Sequence, residues 1–513
     1  MALCYNADEA ASGTFHVCNA RGRRIKREGK FVMLDAFANL VGTISGWMYS
    51  YILIIMLLAV GLYFTFRGKL VQLRLLPESI RVVGEKPKGE NSVSAFQALM
   101  VSTASRVGTG NIVGVATAIA AGGYGAVFWM WLIAIIGGAS AFVESTLAQI
   151  YKKKDPNGGS YGGPSYYIEA ALHSRTLGVI FAVILIATYA GGFNMLASFN
   201  LISSFTSYSF YEAAGTVALF GKDISMVSLI GGAILAILVG ICIFGGGKRI
   251  VKVTGVMVPV MGVIYILMAV LVMVMNITAI PGVLAKIFVE AFDFQAIFGG
   301  FMGSCVMQGI KRGLYSNEAG IGSAPNAAAA ADVSHPVKQG LVQMLSVFID
   351  TILVCTATAM MTLSTGIDIK SGLEGAPLVQ ASLATIFGGF GPAFITFALL
   401  LFAFTTLLGN LYYCEGCMNY IAGHKVGKTG TTIFNIAAIL LVFVGALLKV
   451  GLAWDIADVL MGFMAIINLP VIVILGGTAM KALKDYTDQR AAGKDPEFKA
   501  ASIGLKEKTD FWN

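Results

Sequence analysis

"SRVGTGNIVG", residues Ser105–Gly114, carries an arginine and three glycines into the middle of an apolar run long enough to cross a membrane. A helix interrupted there frees backbone N–H and C=O groups. Such groups are costly in hydrocarbon unless protein or a water-filled cavity satisfies them. The interruption therefore belongs in a protein interior, beside something that needs unpaired backbone groups.

The surrounding chain supports a membrane setting. It has 513 residues, of which 57% are hydrophobic and only 12% charged, with mean hydropathy +0.77, well outside the composition of soluble domains. About 20 apolar residues span a bilayer core. Eleven stretches qualify, near 44–66, 94–122, 125–150, 177–197, 225–244, 253–275, 297–331, 339–362, 392–413, 431–449 and 454–480. Arg67, Lys69, Arg74, Arg81, Lys86 and Lys88 follow the first span, Lys152, Lys153 and Lys154 the third, and Lys248, Arg249 and Lys252 the fifth. Lys338, Lys425, Lys428, Lys481, Lys484 and Arg490 continue the pattern. All fall on one side if the spans alternate, which predicts a cytoplasmic C-terminus and an outside N-terminus. The basic leader "RGRRIKREGK" conflicts with that orientation, and a chain starting at Met33 would remove the conflict. Residues 1–32 are accordingly expected to be an over-extended start or a disordered tail. Cys414 and Cys417 have redox or metal-pair spacing but no second pair to complete a site, so small residues at a helix end are the reading.

A second interruption falls in span 7, across "MQGIKRGLYSNEAGIGSAPN". Span 2 opens one series of five spans and span 7 opens another five in the opposite direction. Paired broken segments at matching positions indicate an inverted repeat with binding at the midplane. The expected division is a first span and cytoplasmic amphipathic segment (33–93), repeat 1 (94–275), repeat 2 (276–483) and a cytoplasmic tail (484–513). Residues 198–224 read as an outside helix or loop.

Broken helices can replace water around a zwitterion. The half-helix beginning at Gly108, Thr109, Gly110 and Asn111 offers N–H groups and a positive dipole end to a carboxylate. Thr109 adds a hydroxyl and Asn111 an amide. Met307, Gln308 and Gly309, read as the end of the other half-helix, offer carbonyls and an amide to an ammonium group. The competing reading is that the glycines only let helices pack closely; the matching break in span 7 favours binding.

Longer stretches resemble a known family. "GGYGAVFWMWLIAIIGG" (Gly122–Gly138), "YGGPSYYIE" (161–169), "KRGLYSNEAGIGSAP" (311–325), "FIDTILVCTATAM" (348–360), "FAFTTLLGNLYY" (402–413) and "ADVLMGFMAIINL" (457–469) are similar to the alanine or glycine:cation symporter family. The resemblance runs from Met33 to about residue 480. It implies an all-α, leucine-transporter-like fold of about 11 transmembrane helices in the inner membrane. It also implies sodium-coupled uptake of a small neutral amino acid, with lipid as the surroundings, no further cofactor and no nucleic-acid partner. Three departures fall near the expected pocket: Ala197 where a glutamine is common, Asn410 where a tryptophan is common, and no histidine in "APNAAAAAD". The resemblance further implies a sodium shell from the Ala104, Val107 and Phe402 carbonyls and the Thr405 and Thr406 hydroxyls. Adjacent threonines in an apolar helix also bond back to their own carbonyls.

Intramembrane ionisable residues are functional candidates. Asp350, Glu144, Arg106, Arg312 and Glu318 are candidates for coupling or gating, and equally for structural ion pairs. An Arg312–Glu318 pair, or Arg106 with a carboxylate, is expected to close the cytoplasmic vestibule. Phe128, Trp129 and Trp131 read as an interfacial belt or as packing against span 2. A channel could use broken helices and hydroxyl rings as a filter. A membrane enzyme fits least, since the spans lack a specific catalytic constellation.

Overall fold

The computed structural model describes residues 36–513 except 88, 90, 91, 156–158, 220, 221, 294–303 and 449. It describes the backbone alone of 2–4, 14–18, 24–35, 222 and 450. Ala2–Cys4, Thr14–Cys18 and Arg24–Glu28 pair as a small antiparallel sheet, and a helix begins at Gly29; residues 1, 5–13 and 19–23, and the start of span 7 before Ser304, lie outside the described residues.

Nine helices among the described residues are long and apolar enough to span a membrane: α1 Ala36–Arg67, α5 Gly125–Ile150, α7 Arg175–Ser207, α8 Met226–Ile243, α9 Gly246–Met275, α13 Pro336–Leu363, α15 Phe390–Ala422, α16 Lys428–Gly445 and α17 Gly451–Ala491. Between them come α2 Leu76–Val83, α3 Ala95–Arg106, α4 Gly110–Gly122, α6 Pro164–Leu172, α10 Ile280–Ala291, α11 Cys305–Asn317, α12 Pro325–Ala328 and α14 Gly375–Phe387. The pairs α3/α4 and α11/α12 are the two broken elements. A capping box starts α3: the N–H of Gln97 donates to Ser94 Oγ at 3.1 Å and Gln97 Oε1 accepts from the Ser94 N–H at 2.9 Å.

The two halves repeat the same order, a broken helix followed by four spans, with a short helix (α6 or α14) between the second and third members of each. They run in opposite directions. Val93, just before α3, accepts a hydrogen bond at 2.9 Å from the N–H of Asp332, just after α12, so the first broken element starts at the end where the second one finishes. Span α1 stands outside the repeat, against α5 and α17.

Burial separates centre from rim. The most apolar window of α5 is 72% buried, that of α9 only 28%, and α11 and α13 pack along α5 as one body. Helices α8, α9, α15 and α16 pack as a second body, and α15 reaches α3. Gly409 permits that approach, because a Cβ there would lie 2.7 Å from the Ser105 nitrogen.

Several sequence expectations change. Helix α7 runs ten residues past Ala197, to Ser207, because Asn200 and Ser204 are buried and find partners in Thr109 and the Leu201 carbonyl. A short helix (Ser209–Ala213) and a hairpin (Thr216–Leu219 with Lys222–Ser225) complete that connection. The amphipathic α2 packs its Ser79 and Val82 face against α13. Phe128 meets Phe288 and Phe292, with ring centroids 5.7 and 5.0 Å away, and Trp129 Nε1 donates to the Ala291 carbonyl at 3.0 Å. Those aromatics seat α10 on α5.

Candidate functional site

The first break is short. Helix α3 ends at Arg106 and α4 begins, with a π-helical turn, at Gly110. Asn111 closes the gap from within: its Oδ1 accepts the Gly108 N–H at 2.8 Å, while its Nδ2 donates to Asp350 Oδ1 at 2.7 Å. The amide is thus engaged in holding the break to α13. Asp350 lies in a π-helical segment of α13 (Phe348–Cys355) and also accepts from Ser316 Oγ and Thr351 Oγ1, each at 2.8 Å. Such widened turns recur at functional sites.

Helix α15 covers the other side of the break. Thr406 Oγ1 lies 3.1 Å from the Ala104 carbonyl and 3.5 Å from that of Ser105, and a methyl on Gly108 would overlap the Thr406 hydroxyl. Thr405 turns away, bonding to the Leu401 and Phe402 carbonyls at 3.0 and 3.1 Å. Adjacent helical residues point about 100° apart, so only one of the pair can face the break. Ala104 and Thr406 therefore come together; Thr405 does not join them, and the Phe402 carbonyl is used within its own helix. Ser105 Oγ donates to Asn410 Oδ1 at 2.6 Å, and Asn410 Nδ2 to Asn194 Oδ1 at 2.8 Å. Ala197 is buried on α7, one turn beyond Asn194. Thr109 accepts from Asn200 Nδ2 at 3.0 Å.

The second break lies later than the sequence reading set it. Met307, Gln308 and Gly309 sit in the opening turns of an intact helix, where the Met307 N–H is capped by Ser304 Oγ at 3.3 Å. A Cβ on Gly309 would lie 2.6 Å from Trp129 Cβ, so this glycine serves close packing. The chain leaves the helix at Glu318, in left-handed geometry with φ 53°, and passes Gly320 and Gly322 at φ 84° and 87°. Glu144 satisfies the freed N–H groups from outside: Gly320 and Gly322 donate to its two oxygens at 3.3 and 3.1 Å, and Asn468 Nδ2 donates at 2.8 Å. Tyr167 OH in turn donates to Asn468 Oδ1 at 2.5 Å.

Glu318 is held by hydroxyls, Ser105 at 3.1 Å and Ser323 at 2.6 Å, and not by Arg312. Arg312 precedes the break and pairs with Asp458 of α17 at 3.2 Å, beside Lys311 at 2.7 Å. Six residues apart on or at the end of one helix, Arg312 and Glu318 leave on different faces. The Arg312 guanidinium lies 3.9 Å from the Trp454 ring. A column continues inward through Tyr315, 5.0 Å from Trp454, to Phe193 at 4.8 Å. It covers the first break from the end opposite the basic loops. Arg106 is buried, donates from Nη1 to the Gln343 carbonyl at 3.2 Å, and is the counter-charge to Glu144, Glu318 and Asp350.

Asp458, Asn468 and Ser105 escaped the sequence reading. An aspartate, Asp458, one turn into the apolar "AWDIADVLMGF" after Asp455 was the available signal for the first; Asn468 and Ser105 carried none that separates them from ordinary helical polar residues. On the basic side, a cavity of ≈ 620 Å3 lined by Gln97, Ser160, Asn326, Glu415 and Lys425 leads toward α12.

This geometry has relatives. The Sodium:alanine symporter family matches residues 34–500. The amino-acid carrier protein AlsT of Bacillus subtilis is 46% identical over 92% of this chain and 97% of its own. The probable sodium/glutamine symporter GlnT of the same organism is 46% identical over 91% and 94%, and the sodium/alanine symporter AgcS of Methanococcus maripaludis 40% over 88% and 98%. Among solved structures, that of MhsT in complex with L-phenylalanine superposes with TM-score 0.56 at 14% identity, covering 78% of this chain and 93% of that one, a likeness of fold. The fold is leucine-transporter-like and the chain is a multi-pass membrane transporter, not an enzyme; it belongs to the sodium:alanine symporter family.

Proposed function

We propose that this transporter couples entry of sodium, down its gradient, to uptake of a small neutral amino acid, alanine or glycine, through the inner membrane, with the C-terminus in the cytoplasm and the N-terminus outside. The observation that carries this reading is the oxygen cluster at the first break: the Thr406 hydroxyl 3.1 Å from the Ala104 carbonyl, directly before the free N-terminus of α4. The unwound carbonyls, with Val107 next in line, suit a cation held without a full protein charge. Gly110 and Thr109 suit the substrate carboxylate. The ammonium partner moves from Met307–Gly309 to the carbonyls exposed after Asn317. The Arg312–Asp458 pair and the Trp454–Tyr315–Phe193 column form the outer closure.

Two features favour variants of this reading. The linked amides of Asn194 and Asn410 favour a polar substrate side chain such as that of serine or glutamine. Asp350, buried and held by the Asn111, Ser316 and Thr351 donors, favours a proton as coupling ion. The test is uptake of radiolabelled alanine, glycine, serine and glutamine into proteoliposomes, with sodium or proton gradients, for wild type and Thr406→Ala. Sodium-driven accumulation lost in Thr406→Ala supports the assignment; accumulation indifferent to sodium and driven by protons moves coupling to Asp350. Flux that neither saturates nor needs a coupling ion would replace the carrier with a channel.

A further inference from the structure

Residues 494–513, beyond α17, do not trail into solvent. Gly493 turns the chain back with φ 73°, and Gln489 clamps the turn, donating to the Glu497 carbonyl at 2.8 Å and accepting the Glu497 N–H at 3.0 Å. The segment then docks on the loop that follows the second break. The Phe498 N–H donates to the Ser334 carbonyl at 3.0 Å, and Ser334 Oγ to the Pro496 carbonyl at 2.8 Å.

Its far end clasps the end of α5. Trp512, 7% exposed, donates from Nε1 to the Gln149 carbonyl at 2.7 Å. Lys152 Nζ lies 4.6 Å from the Phe511 ring centroid and 5.1 Å from that of Trp512, while donating to the Ala331 carbonyl at 2.9 Å. Burial lowers the Lys152 ammonium to about 8, so it remains charged at neutral pH and keeps its attraction to the rings. Asp510 holds Lys153 at 3.2 Å and accepts the Lys154 N–H at 3.2 Å.

Lys153 and Lys154 form one strand of a hairpin whose other strand, Ser160–Tyr161, borders the basic-side cavity. The segment therefore ties three things together: α17, the body made of α5 and α13, and one wall of the vestibule. Glu415, which also lines this cavity, belongs to α15.

We propose that residues 494–513 are a strap that holds the vestibule in its open, basic-side conformation and so slows the carrier's return. The strap binds and releases as a unit, with Trp512 as its anchor and Asp510 as its electrostatic latch. Its effect on uptake rests on the transport reading above, but its effect on the vestibule does not.

The experiment introduces a cysteine by Glu415→Cys and measures its alkylation rate by a maleimide reagent in detergent-purified full-length protein. The parent without that change supplies the background rate. The strap is then released by Trp512→Ala or, with less disturbance to packing, by Asp510→Ala. The expected result is alkylation slowed at least threefold, as the vestibule closes more often, and amino-acid uptake in proteoliposomes raised at least threefold. Alkylation within twofold of the strapped protein in both variants overturns the strap, whatever uptake does. If Trp512→Ala fails to fold, the Asp510→Ala result decides alone. Failure of the wild type to accumulate any amino acid overturns the transport reading and leaves the alkylation arm intact.

Discussion

Between α3 and α4 three residues, 107–109, separate the helices; between α11 and α12 seven do, 318–324. The short break is satisfied by its own Asn111, by one hydroxyl from α15 and by the pairing of Asn111 with Asp350. The long break frees more N–H groups than a neighbouring amide can accept. A carboxylate, Glu144, takes two of them, since an anionic acceptor with two oxygens makes the stronger bonds. A carboxylate in a membrane interior then calls for a counter-charge, and Arg106, the last residue before the short break, supplies it. The lengths of the two breaks thus explain why the short one is closed by its own Asn111, steadied by Asp350, while the long one draws a carboxylate directly onto its N–H groups.

The largest effect should come from removing the acceptor of the long break. Glu144→Ala leaves the Gly320, Gly322 and Asn468 donors without their partner, at about 1–3 kcal/mol for each unsatisfied group, and leaves Arg106 with one fewer counter-charge. Purified Glu144→Ala should melt far below wild type or fail to accumulate, with Glu144→Gln intermediate because its amide oxygen still accepts. A wild-type melting curve for Glu144→Ala would show that the long break is satisfied some other way.

Next in size is the outer pair. Arg312→Ala leaves Asp458 with Lys311 alone and removes the cation over Trp454, so uptake should drop at least tenfold, about 1.4 kcal/mol in the closed state. Exchanging the charges, Arg312→Asp with Asp458→Arg, should recover part of that loss. Exchange between Arg312 and Glu318 should recover none, because the two do not meet.

At the short break the effect is local. Gly108→Ala pushes a methyl into the Thr406 hydroxyl, a misfit costing about 1–3 kcal/mol. The sodium concentration for half-maximal uptake should rise severalfold. Adding Thr406→Ala should restore the melting temperature but not the sodium response. Recovery of both would remove Thr406 from the ion site.

Most of the membrane architecture was legible, and the reason is composition: spans of about 20 apolar residues and glycine clusters are long signals. The position of the second break was not. Gly309 and Gly313 resemble helix-breaking glycines, yet a Cβ on either would press into α5, 2.6 Å from Trp129 Cβ and 2.7 Å from Ile133 Cγ2. Packing glycines and breaking glycines look alike until the neighbour is known. Of the four glycines in that stretch, Gly320 and Gly322 take positive φ, following Glu318 out of the helix. The Arg312–Glu318 pairing failed on helix rotation, since six positions along one helix turn the two side chains to different faces and bring Arg312 to Asp458. The threonine pair could be read from the sequence, but which of the two faces the break depends on helix rotation set by contacts hundreds of residues away.

The mildest perturbation, a change of pH with no residue removed, tests how each break is anchored downstream. After the short one, α4 passes into α5 through Gly123 and Tyr124, with Glu290 accepting the Tyr124 N–H at 2.8 Å. After the long one the anchor is an imidazole. His335 Nδ1 accepts the Val337 N–H at 3.2 Å to cap α13, and Nε2 faces Asp485 Oδ2 at 3.2 Å. Burial, reinforced by Lys338 and opposed by Asp485, lowers its pKa from 6.5 to about 4, so the folded protein holds the ring neutral. A depressed folded-state value means the stabilisation is present above pH 6.5 and is lost as pH falls toward 4. At pH 5 the loss is about 2 kcal/mol relative to pH 7.5. His335→Asn keeps a cap acceptor without a titrating group. The difference in melting temperature between pH 7.5 and pH 5 should therefore be smaller in that variant than in wild type, with carboxylate contributions common to both. Equal differences would show that His335 stays neutral in the unfolded chain as well, or that its protonation is matched by Asp485, and the anchor of the long break would then be no more sensitive to acid than that of the short one.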